Sequence, residues 1–339
     1  MGDRRTGAAP VTATGPSEAR LRHAERSENF PVALRVLPGA TRAHLRAVYD
    51  VVRVIDDIGD GDDRPDESPS AQGGPRPVTP EEAADRTARL HGFCTDLRRV
   101  WDDGAGPGEP VLRRLVPTAR ACGLTREPFE RLVAANLADQ YVTRYRTWDD
   151  LLGYCVLSAD PIGRMVLAVF GVDAPPGSDL QRWSDCICTA LQILEHCQDV
   201  AEDRARGRVY LPVADLEAFG VAESDLDDPH TSPGLRALLA EVTGRACALL
   251  DDGAPLIAGL RGWARVAVAG YAAGGRAAAD ALRRNDFDVL AGSPQTQRRD
   301  VVRHLARDLA GTVTPAAVRR AVARSTGRDR NTRRDRSAV

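Results

Sequence analysis

The sequence predicts an all-α protein, a single helical bundle with a central apolar cavity, and three observations carry that prediction. Segments of roughly 12–28 residues rich in Ala, Leu, Arg and Glu alternate with short Gly/Pro/Asp punctuation. Strand signals are nearly absent; RVYLP at 208–212 is the best and is too short to build a sheet. Two segments, 47–60 and 186–203, are apolar almost all round, as buried helices are, and yet carry several acids. Composition agrees: 43% hydrophobic and 28% charged residues are ordinary for a globular chain, and 339 residues can bury a sizeable core. The 46 basic and 48 acidic residues leave a net charge of −2, which excludes a nucleic-acid binder working by bulk positive charge. All of the basic residues are Arg, a bias of codon usage more than of chemistry. The seven Cys, at 94, 122, 155, 186, 188, 197 and 247, are scattered and odd in number, and read as reduced thiols of a cytoplasmic protein. Cys186 and Cys188, two apart on a helix, point to different faces and make a poor metal pair. No apolar run approaches the roughly 20 residues of a membrane span, and residues 1–20 lack the apolar stretch of a secretory signal.

In chain order, 1–20 reads as a disordered tail, 21–312 as one all-α domain, and 61–80 as a mobile loop inserted between two helical segments. Thr79-Pro80-Glu81-Glu82 supplies an N-cap, a proline at the first helical position and acids in the first turn. Residues 154–171 form an apolar helix interrupted by Pro161 and Gly163, either a simple kink or an opening for a ligand chain. Residues 178–204 form one long helix ended near Gly207. GAGPG at 104–108 is a loop. Ala273-Gly274-Gly275 follows no strand, so it is no dinucleotide fingerprint. The stretch 313–339 reads as a short helix and a basic tail, with eight Arg against two Asp in 319–339. A solvated tail is the first reading of it; attraction to anionic lipid is the second.

The acids are the informative part. At about 100° per residue, Arg53, Asp56 and Asp60 lie at about 40°, −20° and 20° from Tyr49, one stripe over three turns. Relative to Glu195, Asp199, Asp203 and Gln192 lie at about 40°, 80° and 60°. An i, i+4 acid pair on a solvated face is commonplace. Two such pairs on helices this apolar are not, because an unpaired buried carboxylate costs several kcal/mol. A metal offsets that cost. Oxygen donors without convergent His or Cys point to a hard cation, Mg²⁺ before Zn²⁺, which takes one or two carboxylates and completes its shell with substrate phosphate. Arg53 could then hold a phosphate directly. Asp57, about 100° from Asp56, reads as a capping, pairing or supporting residue, and His196, with no second His at ligand spacing, as a packing or hydrogen-bonding one.

DDIGD (56–60) and QDVAED (198–203) resemble the two aspartate-rich motifs of the squalene/phytoene synthase family. SENFPVALRVLP (27–38), YCVLSADPIGRMVLAVFG (154–171), CTALQILEHCQDVAEDRARGRVYLP (188–212) and NDFDVL (285–290) resemble further family segments in the same order, covering about 21–292. SENFPVA is most similar to the hydroxysqualene synthase branch (squalene synthase HpnC) of hopanoid biosynthesis. The resemblance implies an isoprenoid synthase fold and a Mg²⁺ cofactor, with Mn²⁺ as a substitute and no NADPH. It implies Asp56, Asp60, Asp199 and Asp203 as metal-binding catalytic acids, and Tyr49 and Arg53 beside the diphosphate. Ser27, Asn29 and Phe30 would close over the site, with Tyr154, Gln192, Arg208 and Tyr210 around the substrate and Asp139 as a further acid. Glu195 departs from the usual Asn and is expected among the metal ligands. The implied reaction is presqualene diphosphate plus water to hydroxysqualene and diphosphate. The alternatives are head-to-head condensation of farnesyl or geranylgeranyl diphosphates and, in a different class, a non-catalytic lipid-diphosphate binder. Hand-over from a presqualene diphosphate synthase and peripheral contact at the inner face of the membrane are the implied associations.

Overall fold

The computed structural model describes residues 37–62 and 76–311. The helices in chain order are α1 (Gly39–Asp60), α2 (Pro80–Arg98), α3 (Pro110–Cys122), α4 (Glu127–Ala138), α5 (Trp148–Ser158), α6 (Asp160–Val169) and α7 (Asp179–Gln198). There follow α8 (Val200–Ala205), α9 (Val213–Ala218), a 3₁₀ turn (Glu223–Asp227), α10 (Pro233–Gly253), α11 (Pro255–Gly259), α12 (Gly262–Arg284) and α13 (Arg298–Ala310). Among the described residues the only β contact is an isolated bridge, Arg144 with Val209. It comes from the RVYLP segment.

Local chemistry sets the ends. Thr79 accepts from the Glu82 N–H while Glu82 accepts from the Thr79 N–H, a full capping box. Thr147 and Asp150 repeat it at α5, and Ser178 caps α7. Packing then forms two apolar clusters. One gathers Val51, Ile55, Leu90, Leu112, Leu115 and Phe129 from α1–α4. The other gathers Ile193, Leu194, Leu235, Leu239, Leu250 and Leu282 from α7, α10 and α12. Helix α7 lies between α10, α12, α5 and α6, and α1 packs on α2, α3, α4 and α6. Both acid-bearing helices are therefore central.

Two expectations need comment. The helix expected over 178–204 is broken: α7 stops at Gln198, Asp199 sits at φ −105°, ψ 19°, and α8 begins at Val200. The angle assigned to Asp203 from an unbroken helix does not hold. Second, Trp148–Val169 is long and apolar enough to cross a membrane by length and overall composition, although Asp149, Asp150, Asp160 and Arg164 interrupt it. It is broken at Ala159 and mostly buried within the bundle, which makes it a core helix pair. The interruption expected from Pro161 is present as a simple kink, the break falling at Ala159 just before the proline; Gly163 has a separate role. A Cβ on Gly163 would overlap Ser184 Oγ and lie 2.6 Å from Cys188 Sγ, so its role is the close approach of α6 to α7. Gly163→Ala is expected to cost about 1–3 kcal/mol by overpacking, more than the roughly 1 kcal/mol of helix propensity gained. A denaturant melt showing a stabilised variant would contradict this contact.

Of the loop expected at 61–80, the described ends are anchored. Arg76 pairs with Glu82, and Pro77 lies against Gly207, where a Cβ would come within 3.2 Å. Residues 1–36, 63–75 and 312–339, with the two terminal tails, lie outside the described residues.

Candidate active site

Tyr49, Arg53, Asp56 and Asp60 are all half-buried on one face of α1, bordered by buried Val48, Val51, Val54, Ile55 and Ile58. Their charges are met differently. Asp57, 1% exposed, pairs with Arg53 at 2.8 Å. Asp57 is thus a supporting acid, and it holds Arg53 one turn back on the same helix. Asp56 accepts from Asn136 Nδ2 at 3.0 Å. Burial pushes its carboxyl up to about 7; the Asn136 bond opposes the shift and neighbouring Asp60 adds to it. Asp60 accepts from Arg208 Nη1 at 2.9 Å and Arg206 Nη1 at 3.3 Å.

The second motif straddles the helix break. Asp199, half-buried, accepts from Ser293 Oγ at 3.2 Å, and burial, then Asp203 and Glu202, raise its carboxyl above the usual range. Asp203 lies 3.6 Å from His196 Nδ1, and Gln192 Nε2 is 3.3 Å from His196 Nε2. His196 also stacks on the Tyr210 ring at 3.7 Å between centroids, so it both packs and makes polar contacts. Glu195 is exposed, one turn before Asp199.

The segment after α8 joins the two motifs. The Arg208 backbone N–H donates to the Asp203 carbonyl at 2.9 Å, while its guanidinium reaches Asp60 on the other helix. Burial works against the Arg208 charge, but Asp60, Tyr210 and Asp139 outweigh it and raise its pKa. Beneath lies Asp139, accepting from Tyr154 Oη at 2.8 Å and Tyr210 Oη at 3.4 Å. Burial pushes it up to about 6, with Arg208 pulling it back. Tyr145 stacks on Tyr210 and tilts against Tyr154. A small cleft beside this cluster is lined by His196, Val200, Asp203, Arg208, Tyr210 and Leu226, among others. Ser27, Asn29 and Phe30 lie outside the described residues.

Among the described residues no three His, Cys, Asp or Glu side chains gather into a ready metal site. The donor chemistry nevertheless fits a hard cation held jointly with a phosphate. Asp56 and Asp199, one per motif, are carboxylates whose charge the protein leaves under-compensated, and Mg²⁺ needs only one or two such donors. Asn136, Gln140, Arg206, Ser293 and Arg86 escaped the reading of the sequence. The one available signal was Asn136, Asp139 and Gln140, spaced i, i+3, i+4 along α4 and its end.

Comparison with known proteins places this geometry. The family model described as squalene/phytoene synthase matches residues 23–305. The chain is 32% identical to a hydroxysqualene synthase of Rhodopseudomonas palustris over 73% of its own length and 76% of the relative's. It is 31% identical to a phytoene synthase of Mycobacterium tuberculosis, over 68% and 69%. Among solved structures it resembles squalene synthase HpnC from Alicyclobacillus acidocaldarius, with 35% identity, a TM-score of 0.65, and 79% and 94% of the two chains covered. A dehydrosqualene synthase in complex with ligand, 22% identical with a TM-score of 0.69 over 86% and 95%, shares the fold. The chain belongs to the squalene/phytoene synthase family.

Proposed function

We propose that this enzyme converts presqualene diphosphate and water to hydroxysqualene and diphosphate. The observation that carries the reading is the junction at Arg208: one residue ties Asp60 of the first acidic helix to Asp203 of the second. That brings both motifs to one polar pole above an apolar bundle. The 35% identity to an HpnC protein directs the reading to this branch.

Bound there, Mg²⁺ (or Mn²⁺) would neutralise the diphosphate as it leaves. Asp56, Asp60, Asp199 and Asp203 are the residues to hold it, with Glu195 within one turn of the second pair. Arg206 and Arg208 are placed to pass from Asp60 to a phosphate, since diphosphate offers the same charge-assisted acceptor. The C–O bond breaks with its electron pair on the diphosphate. The resulting carbocation rearranges in the apolar interior, and a water oxygen bonds to it and loses a proton. Electrons balance without a reductant, so NADPH has no place in the reaction. Tyr154 and Tyr210, both bonded to Asp139, present polarised rings and oxygens beneath the pole, suited to shielding a cation from early quenching.

The phytoene synthase relative, 31% identical against 32% for the hydroxysqualene synthase, favours one competing reading: condensation of two prenyl diphosphates. Separate incubations with presqualene, farnesyl and geranylgeranyl diphosphates, Mg²⁺ present and NADPH absent, discriminate. Hydroxysqualene from the first substrate alone is the expected result. A cyclopropyl diphosphate or a hydrocarbon from either of the other two would replace this reading with condensation. Location at the cytoplasmic face of a membrane, supplied by a presqualene diphosphate synthase, is the setting we propose for so apolar a substrate.

A further inference from the structure

The last turn of α1 carries an arrangement that neither motif explains. A helix end leaves its final carbonyls without intrahelical donors. The Gly61 N–H bonds the Ile58 carbonyl and the Asp62 N–H bonds the Asp57 carbonyl at 2.8 Å. The carbonyl of Gly59, between Asp56 and Asp60, is instead taken by two side chains from other helices. Gln140 Nε2 donates to it at 3.0 Å and Arg86 Nη1 at 3.2 Å, and both residues are buried. Gln140 Nε2 also donates to the Asn136 carbonyl at 2.9 Å. Asn136 in turn donates to Asp56 Oδ1 at 3.0 Å and to the Leu132 carbonyl at 3.2 Å.

Two glycines make room for this. A Cβ on Gly59 would overlap Asn136 Oδ1, so the amide occupies the space that any other residue would fill. A Cβ on Gly61, at φ +77°, would lie 2.5 Å from Arg86 Nη2 and 2.8 Å from its Cζ, so the guanidinium lies directly on the end of the helix. The glycine inside DDIGD is thus a docking surface for α4, and the one after it a docking surface for α2.

We infer that Arg86, Asn136 and Gln140 form a clamp that positions Asp56 and Asp60 for a shared divalent cation. The clamp rests on the functional reading above, because its purpose is to aim two carboxylates at one ion. It fixes the register of the turn through the Gly59 carbonyl and the rotamer of Asp56 through Asn136. It also sets donors against the negative end of the helix, next to two acids that this end repels. All three are positioning residues.

Gln140 gives the cleanest test. Its Oε1 is buried without a hydrogen-bond donor. Gln140→Leu therefore removes an orphaned acceptor together with the two donor bonds, and folding should survive with Tm within about 4 °C. The readout is calorimetric titration of Mn²⁺ into the full chain with inorganic diphosphate present, where no turnover occurs. Gln140→Leu should weaken Mn²⁺ binding by about 10–100-fold, the usual effect of removing a group that orients a metal ligand. Asn136→Ala should do the same, and serves if Gln140→Leu fails to fold. Arg86→Lys, which keeps a cationic donor, should bind closer to wild type than Arg86→Leu. Folded Gln140→Leu or Asn136→Ala protein with wild-type Mn²⁺ affinity would overturn the clamp while leaving the functional reading intact. A wild-type chain that binds no Mn²⁺ with diphosphate would overturn that reading and the clamp with it.

Discussion

Asp56→Asn is expected to lose about 10²–10³ in turnover while the metal-free protein becomes more stable. The two effects have one origin. The Asp56 carboxyl is pushed up to about 7 by burial, so the folded state binds its proton more tightly than the unfolded chain does. Folding then becomes less favourable as pH rises from the ordinary carboxylate range to about 7, and the deficit is constant above that. Asn carries no charge and escapes it. The variant should therefore melt higher than wild type at pH 8, by an amount on the order of a few kcal/mol at most, and the gap should close toward pH 4. Asn136 can still donate to the Asn oxygen. Catalysis suffers because an anionic donor at the departing diphosphate is gone, and the rate loss corresponds to roughly 3–4 kcal/mol of barrier. Asp199→Asn should follow the same pattern, its carboxyl being raised by burial and by Asp203. Parallel melts at pH 4 and pH 8, with turnover per folded molecule, check both. A destabilised variant with undiminished turnover would make these acids structural.

Arg208→Met should have the opposite signature, a large loss of stability. Arg208 is 8% exposed and is shared by Asp60 at 2.9 Å and, electrostatically, by buried Asp139. Removing the cation leaves both carboxylates without their main compensation, a loss of about 3–5 kcal/mol for a buried pair broken on one side. The sign with pH follows from Asp139. Its carboxyl already stands near 6 with Arg208 pulling it down, so without Arg208 it holds its proton to higher pH. The penalty should be largest at pH 8, where Asp139 would otherwise be charged, and smaller at pH 5, where it is protonated in either protein. Urea melts at the two pH values measure this. A uniform loss would assign the residue to packing alone.

Much of this was legible from local pattern. The stripe Tyr49, Arg53, Asp56, Asp60 follows from helix geometry and an apolar background, and all four are half-buried on one face. The Thr79 capping box was equally visible, because its partners are three residues apart. What was hidden depends on contacts distant in sequence or on competition. That Arg53 pairs with Asp57, one turn on, at 2.8 Å was not read from the stripe. The break at Asp199 was invisible because the apolar period runs through it. The clamp on Gly59 comes from residues 27 and 81 positions away, and only its glycine marks it in the motif. Arg206 read as one of many arginines, and Arg208 was marked only by resemblance, until the fold set both against Asp60.

The most direct test of the central claim is turnover of presqualene diphosphate in heavy-oxygen water with Mg²⁺ and no NADPH, followed by mass spectrometry of the extracted product. The account predicts hydroxysqualene carrying one heavy oxygen, one diphosphate released per product molecule, and none released with a chelator in place of Mg²⁺. An alcohol without the label, a reduced hydrocarbon, or product formed undiminished in the chelator would contradict it.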